Sequence, residues 1–461
     1  MSVMAAFMVP HPPMIVPEIG RGSEAQIRET ITAYERVAEE VAALQPDTII
    51  ITSPHAVMYA DYFHISPGKK ATGSFRQFRA PGVRFAEQYD TVLVDRICGL
   101  ADAENFPAGT LGERDPSLDH GTMVPLWFVR QKYTEGKIVR IGLSGLPLTD
   151  HYHLGQLINQ AVEETGTRAV LISSGDLSHK LQKYGPYGFA KEGPEYDSRI
   201  MDVCGRASFG ELFDFDEAFC DKAAECGHRS FVIMAGAFDG LDVRATALSH
   251  QDVTGVGYGI CTFYPEGKNE DRHFLKAYQE KKERECQEKA EQSDAYVQLA
   301  RASVEAWVCQ HEHIRAPKDL PAEMLERRAG TFVSLHKDGK LRGCIGTIAP
   351  TQKNITEEII QNAISACARD PRFAPVTPHE LKTLEISVDV LGDLEPVTLP
   401  EELDVKRYGV VVSHGRKRGL LLPNLDGVDT VEEQIEIARQ KGGIRESEPY
   451  QLERFEVVRH Y

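Results

Sequence analysis

The sequence predicts an α/β fold with a central mostly parallel or mixed sheet carrying helices on both faces, followed by a smaller α+β C-terminal domain. Two observations predict it. Short, near-continuous apolar runs alternate with helix-like stretches through residues 1–265, as strands buried on both faces require. Composition then changes sharply at 266–293, a stretch rich in Lys and Glu with few apolar residues. That stretch reads as a solvated linking helix, with a second domain at 294–461.

In order along the chain, Val3–Val9 is short and apolar and reads as the first buried strand. Ser23-x-x-Gln26 has the spacing of a capping box, and Ile27, Ile31, Tyr34, Val37, Val41 and Leu44 follow at helical spacing. Asp47–Ser53, Lys137–Ser144 and Ala169–Ser174 read as further strands, and Phe231–Phe238 as an apolar helix. In the second domain, Tyr296–Cys309 and Asn354–Arg369 have helical periodicity, and Thr331–His336 and Glu385–Leu391 alternate as strands. Gly409–Ser413 and Leu420–Leu422 flank a hairpin at His414-Gly415-Arg416, and Thr430-x-x-Glu433 opens a helix ending near Gly442-Gly443.

Composition excludes several classes. The 461 residues are 42% hydrophobic and 26% charged, an ordinary globular balance for two or three domains. A net charge of −17 argues against a general nucleic-acid binder. No apolar run reaches the ~18 residues needed to span a bilayer, and the opening residues lack the basic leader of a signal peptide, so a cytoplasmic location is the expectation. Nine cysteines without CxxC spacing argue against a disulfide framework or a zinc finger. Self-association into a homo-oligomer is expected on frequency alone.

The residues just beyond the strands carry the chemistry. The first strand runs into Pro10-His11, the second into Pro54-His55, the fourth into Gly175-Asp176-Leu177-Ser178-His179. Open α/β sheets bind ligands beyond the carboxyl ends of their strands, so three strands deliver a histidine to the expected site. A catalytic divalent metal takes about three protein ligands and an open position. His11 and His55 suit two of those roles; either alone would read as a turn residue. Near the start of the 231–238 helix, Glu225, Cys226 and His228 offer a carboxylate, a thiol and an imidazole. A helix start also favours an anion and would lower the Cys226 pKa toward thiolate.

The ordered motifs MVPHPP, ITSPHA, LISSGDLSHKL and ECGHRSFVIMAGAF resemble those of the class III extradiol dioxygenases, the family of the protocatechuate dioxygenase catalytic subunit, and most of all its Memo branch. The resemblance covers about residues 1–265. It implies His11 and His55 as metal ligands and His179 as the acid/base. It implies Cys226 where the family's dioxygenases carry glutamate, since ten residues back from Gly236-Ala237 reaches Cys226; the Memo branch has cysteine there too. Asp176 matches an acidic residue of the Memo motif, which either orients His179 or stabilises the turn, and His120 in Leu118-Asp119-His120-Gly121 matches a further active-site histidine. The implied cofactor is a divalent metal, Fe(II) foremost, with Zn or Cu as alternatives favoured by the softer thiolate. The implied activity is a metal-dependent reaction on a phenolic or enolised small molecule: oxidative C–C cleavage, or a lyase or hydrolase reaction using the same parts. A non-catalytic metal or redox adaptor is the competing reading.

Leu341-Arg342-Gly343-Cys344-Ile345-Gly346 resembles the signature of the AMMECR protein family, with further likeness in Asp370-Pro371-Arg372-Phe373, Gly419–Pro423 and Val431–Gln434, over about residues 294–461. Arg342 and Cys344 are candidate functional residues there, with His414 and Glu433 as possible neighbours. Cys344 is either the thiol of a hydrolase or transferase or a packed cysteine in a glycine turn. Memo-like and AMMECR-like proteins occur with a radical-SAM protein in the AmmeMemoRadiSam system, which implies such a protein as a separate partner.

Overall fold

A computed structural model describes residues 2–425 and 427–461. The chain forms two compact units, one ending at Tyr278 and the other beginning at Gln279, with the break inside the helix Phe274–Gln292. The region read as one linking helix also holds the end of the strand Tyr258–Lys268, whose last residues pair with Leu241–Val243. Those residues lie largely exposed, so their polar composition hid a strand.

The first unit is built on a six-stranded mixed sheet. Its order is Lys137–Gly142, Thr48–Ser53, Ala169–Ser174, Ala5–Val9, Tyr258–Lys268 and Leu241–Gln251. The first four strands are mutually parallel, Tyr258–Lys268 runs antiparallel to Ala5–Val9, and Leu241–Gln251 runs antiparallel to Tyr258–Lys268. Strand alternation splits the apolar side chains between two cores. Ala6, Met8, Ile50 and Leu171 face one core, shared with the helices Thr91–Ala103, Leu148–Thr165, Glu192–Gly205 and His228–Ala237. Phe7, Val9, Ile49, Ile51, Val170 and Ile172 face the other, shared with the helices Arg28–Leu44 and His120–Lys132. Burial on both faces is why these strands lack a polar/apolar alternation.

The first long helix begins at Arg28, after a short 3-10 turn at Ser23–Ile27. Ser23 gives its hydroxyl to the Gly20 carbonyl and forms no capping box; Gln251 instead accepts the Thr30 backbone N–H at 2.8 Å. The spacing of Ser23 and Gln26 was correct for a cap, but a long-range glutamine satisfies the orphan donor.

The second unit is an α+β arrangement on an antiparallel sheet. Its order is Lys340–Gly346, Thr331–Lys337, Glu385–Leu391, Gln451–His460, Tyr408–His414 and Lys417–Leu421, with Glu395–Val397 also on Gln451–His460. The helices Ala295–Gln310 and Ile355–Ala368 share one core with Val333, Leu335 and Val388, and the helix Val431–Lys441 covers the Tyr408–Leu421 hairpin. The Thr430–Glu433 capping box forms as its spacing predicts. The LRGCIG motif is a strand and not a turn after one. Gly343 is there because a Cβ would collide with the Ala366 carbonyl of the covering helix.

Candidate metal centre

The strands Thr48–Ser53, Ala169–Ser174 and Ala5–Val9 are neighbours in the sheet. Their carboxyl ends therefore carry His55, the 175–179 loop and His11 side by side. The donor atoms of His11, His55 and Cys226 all lie within 4.8 Å of one another. The two Nε2 atoms are 3.0 Å apart, and Cys226 Sγ is 3.7 Å from His11 Nε2. Metal–nitrogen bonds of about 2.1 Å and metal–sulfur bonds of about 2.3 Å place cis ligands roughly 3.0–3.6 Å apart. The two imidazole nitrogens already stand at that spacing, and Cys226 Sγ, 3.7 Å from His11 Nε2 and within 4.8 Å of the His55 donor, would complete a set for one divalent cation by moving inward.

Buried partners orient the candidate ligands. Ser174 Oγ donates to the Gly121 carbonyl at 2.6 Å and lies 3.0 Å from His11 Nδ1. With its own hydrogen committed, the hydroxyl accepts from Nδ1–H, which leaves the His11 Nε2 lone pair facing the cluster. The Tyr34 hydroxyl donates to the Pro10 carbonyl and pins the loop behind His11. Asp176 Oδ1 accepts the His11 backbone N–H at 2.7 Å, and the Asp176 backbone N–H points at Cys226 Sγ at 3.3 Å. Asp176 thus ties the His11 and Cys226 segments together. The orientation of His179 comes instead from the Ala224 carbonyl, which takes its Nδ1–H at 2.6 Å and leaves Nε2 as the acceptor.

Gly175 and Gly227 make this convergence possible. A Cβ on Gly175 would run into the Gly227 backbone, so glycine lets the 175–179 loop lie against the Cys226 segment. Ser178 is held by the buried Asp197, which accepts its N–H at 2.8 Å and pairs with His250 at 2.7 Å.

His120 opens the helix His120–Lys132, its ring 4.0 Å from that of His55 and 5.4 Å from that of His11, centroid to centroid. Asp119 caps that helix through Thr122, accepts from Ser53 Oγ at 2.6 Å and faces Arg140 at 3.7 Å. A cavity of about 1180 Å³ opens beside His55 and His120, with Arg76, Arg84, Arg140 and Phe85 in its walls.

Burial sets the protonation. It holds His11 well below the usual imidazole range and also lowers His55, and burial together with the two neighbouring imidazoles brings His120 to about 3. Burial thus favours the neutral imidazole at all three, the form that a candidate ligand needs. The expectation for Cys226 is reversed: burial, with the charges of Asp176 and Glu225, pushes the thiol well above its ordinary value. Cys226 precedes the helix by two residues, too far for the terminus to outweigh desolvation. Burial also raises Glu225, to about 7; it accepts the His228 backbone N–H at 2.6 Å as part of the helix entry and is not among the converging donors.

Sequence reasoning missed Ser174, Asp119 and Asp197. Asp119-x-x-Thr122 is itself a cap signature, and Ser174 adjoins the Gly175–His179 motif; nothing local marks Asp197.

In the second unit, Cys344 Sγ accepts from Ser334 Oγ at 3.2 Å, and its backbone N–H goes to Asp370 at 2.9 Å. Burial raises the thiol. Arg342 is taken up by Glu380, at 2.7 and 3.1 Å, and by the Ala374 carbonyl; Glu433 is taken up by the capping box.

The family model described as the catalytic LigB subunit of aromatic ring-opening dioxygenase matches residues 5–261. The chain belongs to the LigB family. Fused to this LigB domain is an AMMECR1 domain, matched over residues 297–460. The whole architecture recurs in a Clostridium acetobutylicum protein, 42% identical over 468 residues, covering 100% of this chain and 99% of its own. A Thermotoga maritima protein is 50% identical over 167 residues, 36% of this chain and 96% of its own. Among solved structures, a Pyrococcus horikoshii protein has 30% identity, covering 37% of this chain and 91% of its own at a TM-score of 0.34. An Escherichia coli K12 protein has 15% identity, covering 56% of this chain and 99% of its own at a TM-score of 0.36. Family membership places the first unit in the class III extradiol dioxygenase-like superfamily. Among the described residues, no helix is long and apolar enough to cross a membrane.

Proposed function

We propose that the LigB unit is a metal-dependent enzyme acting on a phenolic or enolised small molecule, by oxidative C–C cleavage or by a lyase or hydrolase reaction on the same class of substrate. The observation that carries this reading is the meeting of His11, His55 and Cys226, with His179, near enough for its charge to act on His11 and His55, holding a fixed acceptor nitrogen. Those three residues would hold the cation, Fe(II) foremost, with Zn or Cu as alternatives. When bound, the cation supplies Lewis acidity at a substrate oxygen.

The protein's own groups do the rest. His179 Nε2 receives the hydroxyl or enol proton, because Ala224 holds the Nδ1–H. His120 stays neutral and offers a hydrogen bond without adding charge. Arg76 and Arg84 line the cavity that leads to His55 and His120 and would meet the electron-rich side of the substrate.

The test is metal content and turnover of anaerobically purified protein. About one iron or zinc per chain is expected, lost in His11→Ala and His55→Ala. His179→Gln should keep the metal and lose turnover on a panel of catechols and enolisable ketones. Metal-free wild-type protein that turns over substrate, or a fully active His179→Gln, would overturn the reading.

A further inference from the structure

The second unit holds its own cavity, of about 1170 Å³, floored by the face of the sheet that the core helices do not cover. Register sets the floor. Cys344 lies opposite Ser334, and Ser334 opposite Ser387, giving a thiol and two hydroxyls in one row across three strands. The next row is Gly346, Phe332, Asp389 and Arg459. Leu420 and Leu422 bring apolar surface into the same space.

The charge in these walls opposes that of the chain. Lys289, Arg301, Arg372, Arg418, Lys441 and Arg459 line the cavity, in a protein of net charge −17. Among the described residues, the two acidic side chains that line it are both paired, Glu385 with Lys289 at 2.6 Å and Asp389 with Arg459 at 2.7 Å. Arg418 is paired with Glu453 at 2.8 Å. Asp370 takes Nε and Nη2 of Arg372, and Nη2 also reaches the Cys344 carbonyl at 3.1 Å. These contacts fix the Arg372 guanidinium beside Cys344 and, among the described residues, leave its Nη1 for a ligand. Fixed guanidiniums recognise carboxylate and phosphate, and a cavity of this size accepts an organic body as well.

We propose that this cavity binds a small organic anion, with its carboxylate or phosphate against Arg372 and the Arg418–Lys441 wall and its apolar body over Phe332 and Leu420, in contact with the Cys344 thiol.

Paired alkylation of the full-length chain tests it. Iodoacetate is anionic and iodoacetamide neutral, so the ratio of their rates at one thiol cancels that thiol's own reactivity. Cys309, an exposed cysteine of the same unit, is the internal reference. Peptide mass spectrometry at low salt should show the iodoacetate-to-iodoacetamide ratio higher at Cys344 than at Cys309 by about tenfold, the low end of what a charged cleft achieves. The excess should collapse in ~1 M salt, where charges are screened within about 3 Å. It should also collapse in Arg418→Gln/Lys441→Gln, whose changes lie at exposed or half-exposed side chains. Phenyl phosphate and benzoate serve as protecting ligands: protection of Cys344 by either supports the site and identifies which anion it prefers. Equal ratios at the two cysteines, a Cys344 inert to both reagents, an excess that survives the double substitution, or protection by neither ligand would each overturn the proposal.

Discussion

Replacing Ser174 with alanine touches no ligand atom, yet it should weaken metal binding substantially. The Ser174 hydroxyl lies 3.0 Å from His11 Nδ1 and donates to Gly121 at 2.6 Å. Losing a hydrogen bond of this kind costs about 0.5–1.5 kcal/mol. The His11 ring is then also free to adopt the other tautomer, with a proton on the nitrogen that faces the cluster. Outer partners of metal-bound histidines are typically worth ~10–100-fold in affinity, which is about 1.4–2.8 kcal/mol. The substitution also strips the buried Gly121 carbonyl of this donor, at about 1–3 kcal/mol of fold stability. Affinity must therefore be measured well below the unfolding midpoint of both proteins. Anaerobic competition for Zn(II) against a chromophoric chelator reads it directly, with His11→Ala as the reference for a lost ligand. A folded Ser174→Ala protein with affinity within about twofold of wild type would refute the tautomer argument, being far short of the expected loss.

Three further outcomes rest on the same geometry. The Cys226 thiol is pushed up by burial while burial keeps His11 and His55 neutral at pH 7, so binding should release one proton; affinity should rise about tenfold per pH unit between pH 7 and 8, and Cys226→Ser should flatten that slope. An unchanged slope in Cys226→Ser would show that the thiol is no ligand. Gly175→Ala should cost at least ~10-fold in metal affinity in a protein that still folds, since its Cβ drives the Cys226 segment away; full affinity would mean the two loops need not touch. His151 is fully buried and burial lowers it to about 3, below its unfolded value of about 6.5, so its contribution is complete above pH 6.5 and is lost as pH falls from there toward 3. Unfolding free energy should fall less steeply in His151→Gln, by about 1.4 kcal/mol per pH unit between about pH 6 and 4, and an unchanged pH profile would show that His151 titrates normally in the fold.

The parallel strands were legible because each is buried on both faces and so reads as an unbroken apolar run: Ala169–Ser174 matches to the residue, and Thr48–Ser53 begins one residue later than expected. Proline and histidine directly after those runs pointed to the site because the sheet edge gathers such residues. The hairpin Lys70–Phe75 and Ala80–Gln88, which supplies one wall of the cavity beside His120, was not legible. It lies largely exposed, so its residues carry little apolar patterning. Ser174, Asp197 and the Gly175–Gly227 contact were hidden for another reason: each acts on a partner distant in sequence, and only the folded chain brings the pair together. The LRGCIG glycines were read as a turn, whereas Gly343 clears space for the Ala366 carbonyl within a regular strand.

The most direct measurement is the X-ray absorption spectrum of the full-length chain loaded with one equivalent of Zn(II). Two nitrogen scatterers near 2.0–2.1 Å and one sulfur near 2.3 Å are expected, roughly the bond lengths such ligands take, with the sulfur shell absent in Cys226→Ser. A first shell of oxygen and nitrogen alone in the wild-type protein, or a sulfur shell that persists without Cys226, would contradict a centre built from His11, His55 and Cys226.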